Sequence, residues 1–253
     1  MVVFLESWRD RWAALRRTTA QLGIWSALLY GAHRGCARLP WPVAVYSYRL
    51  IAQPVATAPR LTARRAQAFS SRLLQPRDPS LRVLPADRAT LKRRFAQGAE
   101  CLALFRGDVM VASLWLHFGT YQEDEVRCRF ETLPARQTCW DFDVFVDPRY
   151  RLTGAFAALW DAADCVMTAR GVRASVSRIS AFNLPSLRAH ERLGAVGVGR
   201  ADYLLLGRLQ VMRATQYPWL HIAWGAAAGP TIRVDAGPAL ACRQTSEANA
   251  SEP

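Results

Sequence analysis

The chain has 253 residues, a length typical of one substantial domain with additional segments. Hydrophobic residues make up 51% of it, which excludes wholesale disorder, and the formal net charge of +13 favours anionic partners such as nucleic acid, anionic lipid or phosphorylated small molecules. The six cysteines include no C-x-x-C pair, which argues against a zinc site and a disulfide framework. We expect them to be buried free thiols.

The N-terminal segment is predicted to be helical over residues 5–34, because apolar residues recur there at helical spacing among several arginines. Two interpretations stay open: a helix that makes peripheral contact with a membrane surface, or a helix packed on its own domain or on a second subunit. Its longest apolar stretch, residues 22–32, is far shorter than the ~20 residues of a membrane-spanning helix. The segment also lacks the charge-free core of a signal peptide, and we expect a cytoplasmic protein.

Apolar runs, prolines and glycines divide the chain into three predicted units. Residues 1–80 form an extension with helix, strand and linker, residues 81–210 a central α/β domain, and residues 211–253 a partly disordered tail. The predicted strands cover residues 43–52, 81–86, 101–106, 109–119, 123–134, 139–146, 172–181 and 201–210. The predicted helices cover residues 63–74, 88–98, 154–170 and 184–193, and Asp87 caps the second of these.

A candidate anion site lies in the segment Val144–Ala163. A strand runs into Asp147-Pro148, a basic loop with Arg149 and Arg151 follows, and Gly154 precedes a long helix. The free backbone N–H groups at a helix N-terminus bind anions, and a glycine lets a phosphate approach the main chain closely. The alternative is an ordinary strand-to-helix turn with solvated arginines.

A second candidate segment runs from Ile179 to Ala195. Asn183 is a good N-cap, a proline is tolerated in the first helical turn, and Gly194 supplies a left-handed stop. His190 follows Asn183 by seven residues. A histidine near its ordinary pKa can donate a proton, but a surface histidine near a helix C-terminus is also favoured by the helix dipole.

In this order and spacing, the two segments resemble motifs of the GNAT acetyltransferase family. The family's V-x-P-x-x-[RQ]-x-x-G-x-[GA] pattern is matched by Val146, Pro148, Arg151 and Gly154, but Phe156 stands where Gly or Ala is usual. In the second motif, N-x-x-[SA]-x-x-x-Y-x-[KR]-x-G-[FA], a histidine replaces the tyrosine. The residues that match it are Asn183, Ser186, Arg192, Gly194 and Ala195, and the resemblance covers residues 81–209.

The resemblance implies a twisted mixed sheet flanked by helices, preceded here by an N-terminal helical extension. It implies an N-acetyltransferase that moves an acyl group from acetyl-CoA, or another acyl-CoA, to an amine of a small molecule or peptide, without a metal. The strands at residues 139–146 and 172–181 would splay to admit the pantetheine arm. The residues that it assigns to acyl-CoA are Val144, Phe145, Val146, Arg149, Arg151, Leu152, Thr153, Gly154, Ala155, Phe156, Asn183 and Ser186.

Three residues are predicted to be catalytic. By resemblance, His190 takes the place of the tyrosine that protonates the departing CoA thiolate. Asp141 and Asp143 are candidate bases: they are expected to share one face of their strand, and apolar neighbours would raise their pKa. The alternative is that these acids, and the Glu123–Glu125 run, pair with Arg127, Arg129 or Arg178. The acidic run equally suits recognition of a cationic substrate.

Two other classes of function remain alternatives. A catalytically degenerate acyl-CoA-binding or scaffold protein is favoured by Phe156 and by the replaced tyrosine. Specific nucleic-acid binding is not expected, because the arginines are spread along the chain and no recognised signature occurs. The glycine-rich run at residues 194–199 precedes a strand instead of a helix, which excludes a dinucleotide loop. The acceptor, the acyl chain length and the oligomeric state are left open.

Overall fold

The structure, a computed structural model, describes residues 28–31, 35, 42–225 and 229–241. Its strands are β1 (Val43–Pro54), β2 (Ser70–Leu74), β3 (Glu100–Arg106), β4 (Val109–His117), β5 (Tyr121–Gln122), β6 (Arg129–Leu133), β7 (Thr138–Val146), β8 (Ala174–Ser180), β9 (Val196–Leu206), β10 (Leu209–Ala214), β11 (Leu220–Trp224) and β12 (Thr231–Asp235). Its helices include α1 (Ala63–Ala66), α2 (Arg88–Ala96), α3 (Ala155–Thr168) and α4 (Leu184–Arg192), and residues 237–241 are also helical.

Within these residues, nine strands form one mixed sheet in the order β11-β10-β9-β1-β8-β7-β4-β3-β2. Its neighbouring strands are antiparallel except β7 and β8, which are joined through α3 and run parallel. Helix α2 and a small sheet of β12, β6 and β5 cover one face, and α3 covers the other. The predicted mixed sheet flanked by helices is confirmed.

Strand β1 lies inside the sheet, and this differs from the predicted division of the chain. It pairs with β8 on one side and with β9 on the other, and most of its second half is buried. The predicted boundary at residue 80 therefore falls within one sheet. The boundary at residue 210 does so too, because β10 and β11 extend the sheet and β12 pairs with β6.

Four local predictions are wrong. Residues 123–128 are not part of a strand, since β6 begins only at Arg129, and residues 201–210 are not one strand, because β9 ends at Leu206 and β10 begins at Leu209. Residues 63–74 are not one helix: α1 ends at Ala66 without burying a side chain, and β2 pairs with β3, which buries Leu74. Residues 81–86 are not a strand, because a short 3₁₀-helix spans Pro79–Val83. There the Asp78 carboxylate accepts a hydrogen bond from the Ser80 N–H, and the proline at position 85 removes a donor that a strand needs.

Other local predictions are confirmed. The Asp87 carboxylate accepts a hydrogen bond from the Thr90 N–H and caps α2, and Asn183 caps α4 in the same way through the Ser186 N–H. Gly194 ends α4 with a φ of 86°, a left-handed conformation that suits glycine. Among the cysteines of the described residues, Cys101, Cys128 and Cys139 are buried free thiols, whereas Cys165 is exposed.

The predicted helix at residues 5–34 lies almost wholly outside the described residues, of which residues 28–31 are helical. In the part of the chain that the structure covers, no helix is long and apolar enough to cross a membrane.

Candidate functional site

A slot opens between β7 and β8. The two strands pair only from Thr138 to Trp140, opposite Ala174 to Val176. Beyond these pairs β7 continues to Val146 along β4, and β8 continues to Ser180 along β1. Among the described residues, no strand pairs with the edge of β7 that faces β8 over its last six residues, which include Val144, Phe145 and Val146. Backbone groups at such an edge can pair with an extended ligand.

The N-terminus of α3 follows the end of β7. Gly154 adopts a φ of 89° there, a left-handed conformation that by itself favours glycine at this position. The first N–H groups of α3, from Ala155 onward, have no partner within a helix. The Leu152 side chain is fully exposed, and Thr153 donates its hydroxyl to the Tyr150 carbonyl. This helix end can therefore accept an anion.

Arg149 and Arg151 lie in the loop before this helix end, and both are exposed. Arg149 forms an ion pair with Asp147, at 2.7 Å. That contact lowers the pKa of the Asp147 carboxyl, as does the hydrogen bond from the Arg149 N–H. The positive charge of Arg149 is thus partly neutralised by Asp147 within the loop.

The ring of Phe156 points toward α4. Its centroid lies 5.8 Å from that of His190 and 6.4 Å from that of Trp160, and both pairs meet edge to face. Phe156 therefore packs in the layer between α3 and α4. A bulky ring at this position could point into the core or crowd the phosphates of a bound acyl-CoA, and the first of these arrangements is observed.

His190 is buried, with 2% of its surface exposed, so the interpretation as a surface histidine is wrong. Its Nδ1 donates to the Gln53 Oε1 of β1 at 2.9 Å, and Trp160 packs edge to face on its ring at 5.3 Å. Burial lowers the pKa of His190 to about 4. At neutral pH the ring is uncharged and its hydrogen is directed at Gln53, so it is not poised as a general acid in this arrangement.

Asn183 and Ser186 occupy the first turn of α4, where the Asn183 side chain is used as the helix cap. Asn183 also lines a cavity of about 400 Å³ together with Arg178 and Ser180 at the end of β8. The structure thus brings this motif to the same end of the sheet as the open part of the slot.

Asp141 is the first residue of β7 beyond the pairs with β8, so it lies where the slot closes. Only 1% of its surface is exposed, and neither carboxylate oxygen has a hydrogen bond of standard geometry to a described residue. Burial raises the pKa of Asp141 to about 6, although the hydroxyls of Ser175 and Ser177 oppose part of the rise. A carboxyl with this pKa can exchange a proton near neutral pH.

Asp143 does not share a face with Asp141, and this expectation is wrong. Asp143 has a φ of 52°, and the register with β4 shifts between Ser113 and Trp115, which marks a β-bulge. The bulge breaks the two-residue alternation. The Asp143 carboxylate accepts from Arg94 of α2 at 2.5 Å, whereas Asp141 lies beside serines of β8.

The acidic run Glu123–Glu125 pairs with two arginines. Arg178 of β8 binds Glu123 through two hydrogen bonds of 2.6 and 3.0 Å and contacts Glu125 at 2.9 Å. Burial raises the pKa of Glu123, but the charge and hydrogen bonds of Arg178 outweigh it, so the pKa is lowered. Arg94 binds Asp124 at 2.7 Å. The predicted pairing with Arg178 thus holds for Glu123 and Glu125, whereas Asp124 and Asp143 pair with Arg94, which the prediction did not include.

Sequence reasoning missed Arg94 and Gln53. The burial of Arg94 could have been predicted from the sequence. Arg94 follows Leu91 by three residues and precedes Phe95, so helical periodicity places it on the buried face of α2. No sequence pattern indicated a role for Gln53, because its hydrogen bond with His190 joins residues that are 137 apart in the chain. Among the described residues, no group of His, Cys, Asp and Glu side chains is arranged to hold a metal.

No family model and no curated protein sequence matches the chain. Several solved structures are similar in fold. A tandem GNAT protein from the clavulanic acid biosynthesis pathway is 12% identical, with a TM-score of 0.45, over 64% of this chain and 54% of that one. A GNAT-family acetyltransferase from Novosphingobium aromaticivorans is 17% identical, with a TM-score of 0.45, over 64% of this chain and 65% of that one.

An acetyltransferase from Trypanosoma brucei is 20% identical, with a TM-score of 0.35, over 50% of this chain and 91% of that one. The chain thus spans less than two thirds of the first two structures and most of the third. At these sequence identities and TM-scores, the similarity concerns the overall architecture and does not assign an activity to this chain.

Proposed function

We propose that this chain is an acyl-CoA-dependent N-acyltransferase with acetyl-CoA as the donor. One observation carries the proposal: the slot between β7 and β8 opens toward the N-terminus of α3. The strands stop pairing after Trp140, and β7 runs on to the loop that precedes Gly154. An unpaired strand edge that leads to an anion-binding helix end suits an extended amide chain that ends in a pyrophosphate.

In this proposal the donor lies along β7. The N–H groups of Gly154, Ala155 and Phe156 bind the pyrophosphate, and Arg151 adds positive charge beside it. Backbone groups of Val144–Val146 pair with the amides of the pantetheine arm. Asn183 and Ser186, at the start of α4, lie along the other side of the slot.

The reaction joins the acceptor nitrogen to the thioester carbonyl carbon and breaks the carbon–sulfur bond. The acceptor must lose a proton, and Asp141 accepts it, because its carboxyl lies where the slot closes and its pKa is about 6. The thiolate leaves and takes a proton from water. The buried, neutral state of His190 supports a role in holding β1 against α4 instead of a role as proton donor.

The same histidine favours a second candidate, a catalytically degenerate acyl-CoA-binding or scaffold protein. The motif position of the usual proton donor is occupied here by a ring that is closed off by Gln53, Trp160 and Phe156. Both candidates bind acyl-CoA, and only the first releases free thiol when an amine is added.

Calorimetric titration with acetyl-CoA tests the shared step. We expect micromolar binding by the wild type and loss of binding in Leu152→Glu and in the double variant Arg151→Glu, Gly154→Glu. The Leu152 change puts a negative charge at a fully exposed position, so the fold is retained. Arg106→Glu, at an exposed residue on the end of β3, is the matched control and should bind normally.

The release of thiol from acetyl-CoA in the presence of an amine panel then separates the two candidates. Binding with amine-dependent thiol release supports the enzyme. Binding without release favours the scaffold. Failure of acetyl-CoA and of longer acyl-CoAs to bind would contradict both.

A further inference from the structure

Strands β9, β10 and β11 expose an apolar surface on the side of the sheet that carries α3. Alternate residues of these strands, such as Met212 and Ala223, are buried on the opposite side. The strand register places the remaining residues side by side, since Val211 of β10 lies opposite Leu204 of β9 and Ile222 of β11. We call this surface the apolar face, and its members are Leu204, Leu206, Val211, Leu220, Ile222 and Trp224.

The apolar face is most exposed along β11, the edge strand of the sheet. Leu220, Ile222 and Trp224 have 63%, 63% and 65% of their surface exposed. At the turn between β10 and β11, Tyr217 and Trp219 are exposed by 74% and 67%, and their rings meet edge to face. Single exposed apolar residues are common, but a contiguous exposed patch of this kind marks a contact with a partner or a membrane.

We propose that the apolar face docks on the surface of an anionic lipid bilayer. This inference goes beyond the proposed function and does not depend on it, because the strands of the face do not border the slot. Aromatic residues frame the aliphatic ones, since Trp219 precedes β11 and Trp224 ends it. Tryptophan prefers the boundary between lipid headgroups and acyl chains, and leucine and isoleucine enter the apolar layer beneath.

The charges around the apolar face are positive. Residues 196–225 include three arginines and a single acidic residue, which is bound to Arg200 at 3.0 Å. Arg213 lies opposite Leu220 at one end of the face, and Arg208 lies in the turn between β9 and β10 at the other end. Both arginines are exposed, and arginines beside an anionic bilayer strengthen its binding.

The observations favour a bilayer over two other occupants of the apolar face. A second copy of the chain would bring two net charges of +13 together, which repel each other. The N-terminal segment joins β1 at Val43, but its described end lies on the other side of that strand: the Tyr30 ring is 5.3 Å from that of Phe182, which follows β8. A bilayer with anionic headgroups matches both the apolar side chains and the positive charges.

Co-sedimentation of the full chain with lipid vesicles tests the proposal. One set of vesicles is pure phosphatidylcholine, and the other is an equal mixture with phosphatidylserine. We expect stronger binding to the mixed vesicles, and this binding should weaken as the salt concentration rises. The double variant Ile222→Thr, Trp224→Thr should weaken it about ten- to hundredfold, because two large side chains no longer enter the apolar layer.

Controls separate the apolar face from general effects. Threonine suits an exposed strand position, so the double variant should keep the urea-unfolding midpoint of the wild type. The matched control is Val83→Thr, Val109→Thr, which changes two apolar residues exposed by 51% and 48% elsewhere and should bind as the wild type does. Arg208→Gln and Arg213→Gln test the same face without changing its apolar residues. Each should weaken binding to the mixed vesicles about fivefold, whereas Arg106→Gln, at the exposed end of β3, should have little effect.

Each outcome decides the inference. Binding to the mixed vesicles that the Ile222→Thr, Trp224→Thr variant and the two arginine variants weaken supports it. Absence of binding by the wild type, or equal binding to both kinds of vesicle, would overturn it. Binding that survives in the double variant would leave the N-terminal segment as the membrane contact and would also overturn it. Light scattering gives the oligomeric state, and a wild-type dimer that the double variant dissociates would make the face an interface between copies instead.

Discussion

Replacement of His190 by leucine should change the dependence of stability on pH. Burial lowers the pKa of His190 from its ordinary 6.5 to about 4. Between these values the unfolded chain binds a proton at this residue and the folded chain does not. The folded state therefore loses stability as the pH falls below about 6.5, and the loss is complete near pH 4.

The size of this effect follows from the two pKa values. As the pH falls from 7 to 5, protonation of His190 in the unfolded chain lowers the unfolding free energy of the wild type by about 2 kcal/mol. A leucine at this position does not titrate, so it causes no such change. The loss of unfolding free energy caused by His190→Leu should therefore be about 2 kcal/mol smaller at pH 5 than at pH 7. Asp141 acts with the opposite sign, because its raised pKa of about 6 stabilises the fold as the pH falls. It is present in both proteins, so its contribution cancels.

Urea unfolding at pH 7 and pH 5 measures the difference, and Leu159→Ala serves as the control. Leu159 is fully buried in α3 and does not titrate, so its cost of about 2–5 kcal/mol should be the same at both pH values. An equal cost of His190→Leu at both pH values would refute the reasoning, since it would mean that the native state holds the imidazole proton as readily as the unfolded chain does.

Three further predictions concern the candidate site, the packing of α2 and the N-terminal segment. If Asp141 accepts the proton of the acyl acceptor, kcat/KM should decrease as the pH falls below about 6. This pH dependence should be absent in Asp141→Asn, and an unchanged pH profile in that variant would exclude the role. Arg94→Met should cost about 3–5 kcal/mol in urea unfolding because it strands Asp124 and Asp143, whereas the exposed Arg93→Met should cost less than about 0.5 kcal/mol. If the N-terminal segment contacts anionic membranes, a variant that lacks residues 1–40 should pellet less with anionic vesicles than the full chain, and equal pelleting would contradict the contact.

Features that depend on neighbouring residues could be predicted from the sequence. Asp87 and Asn183 act as helix caps, and Gly194 ends α4 in a left-handed conformation, because each of these roles involves the backbone within a few residues. The turn into α3 at Gly154 is of the same kind. Apart from the short β5, the order of strands and helices from residue 100 to residue 206 likewise follows the apolar periodicity.

The composition of the candidate site was decided by contacts between distant residues. The insertion of β1 between β8 and β9 brings Gln53 to His190 and turns a motif residue into a buried, neutral ring. The β-bulge at Asp143 separates it from Asp141, and α2 supplies Arg94 as the partner of Asp143. Caps and periodic faces arise from interactions a few residues apart, which the sequence by itself determines. The pKa of a carboxyl and the partner of a charge depend on which distant strands and helices surround them, and only the tertiary structure decides that.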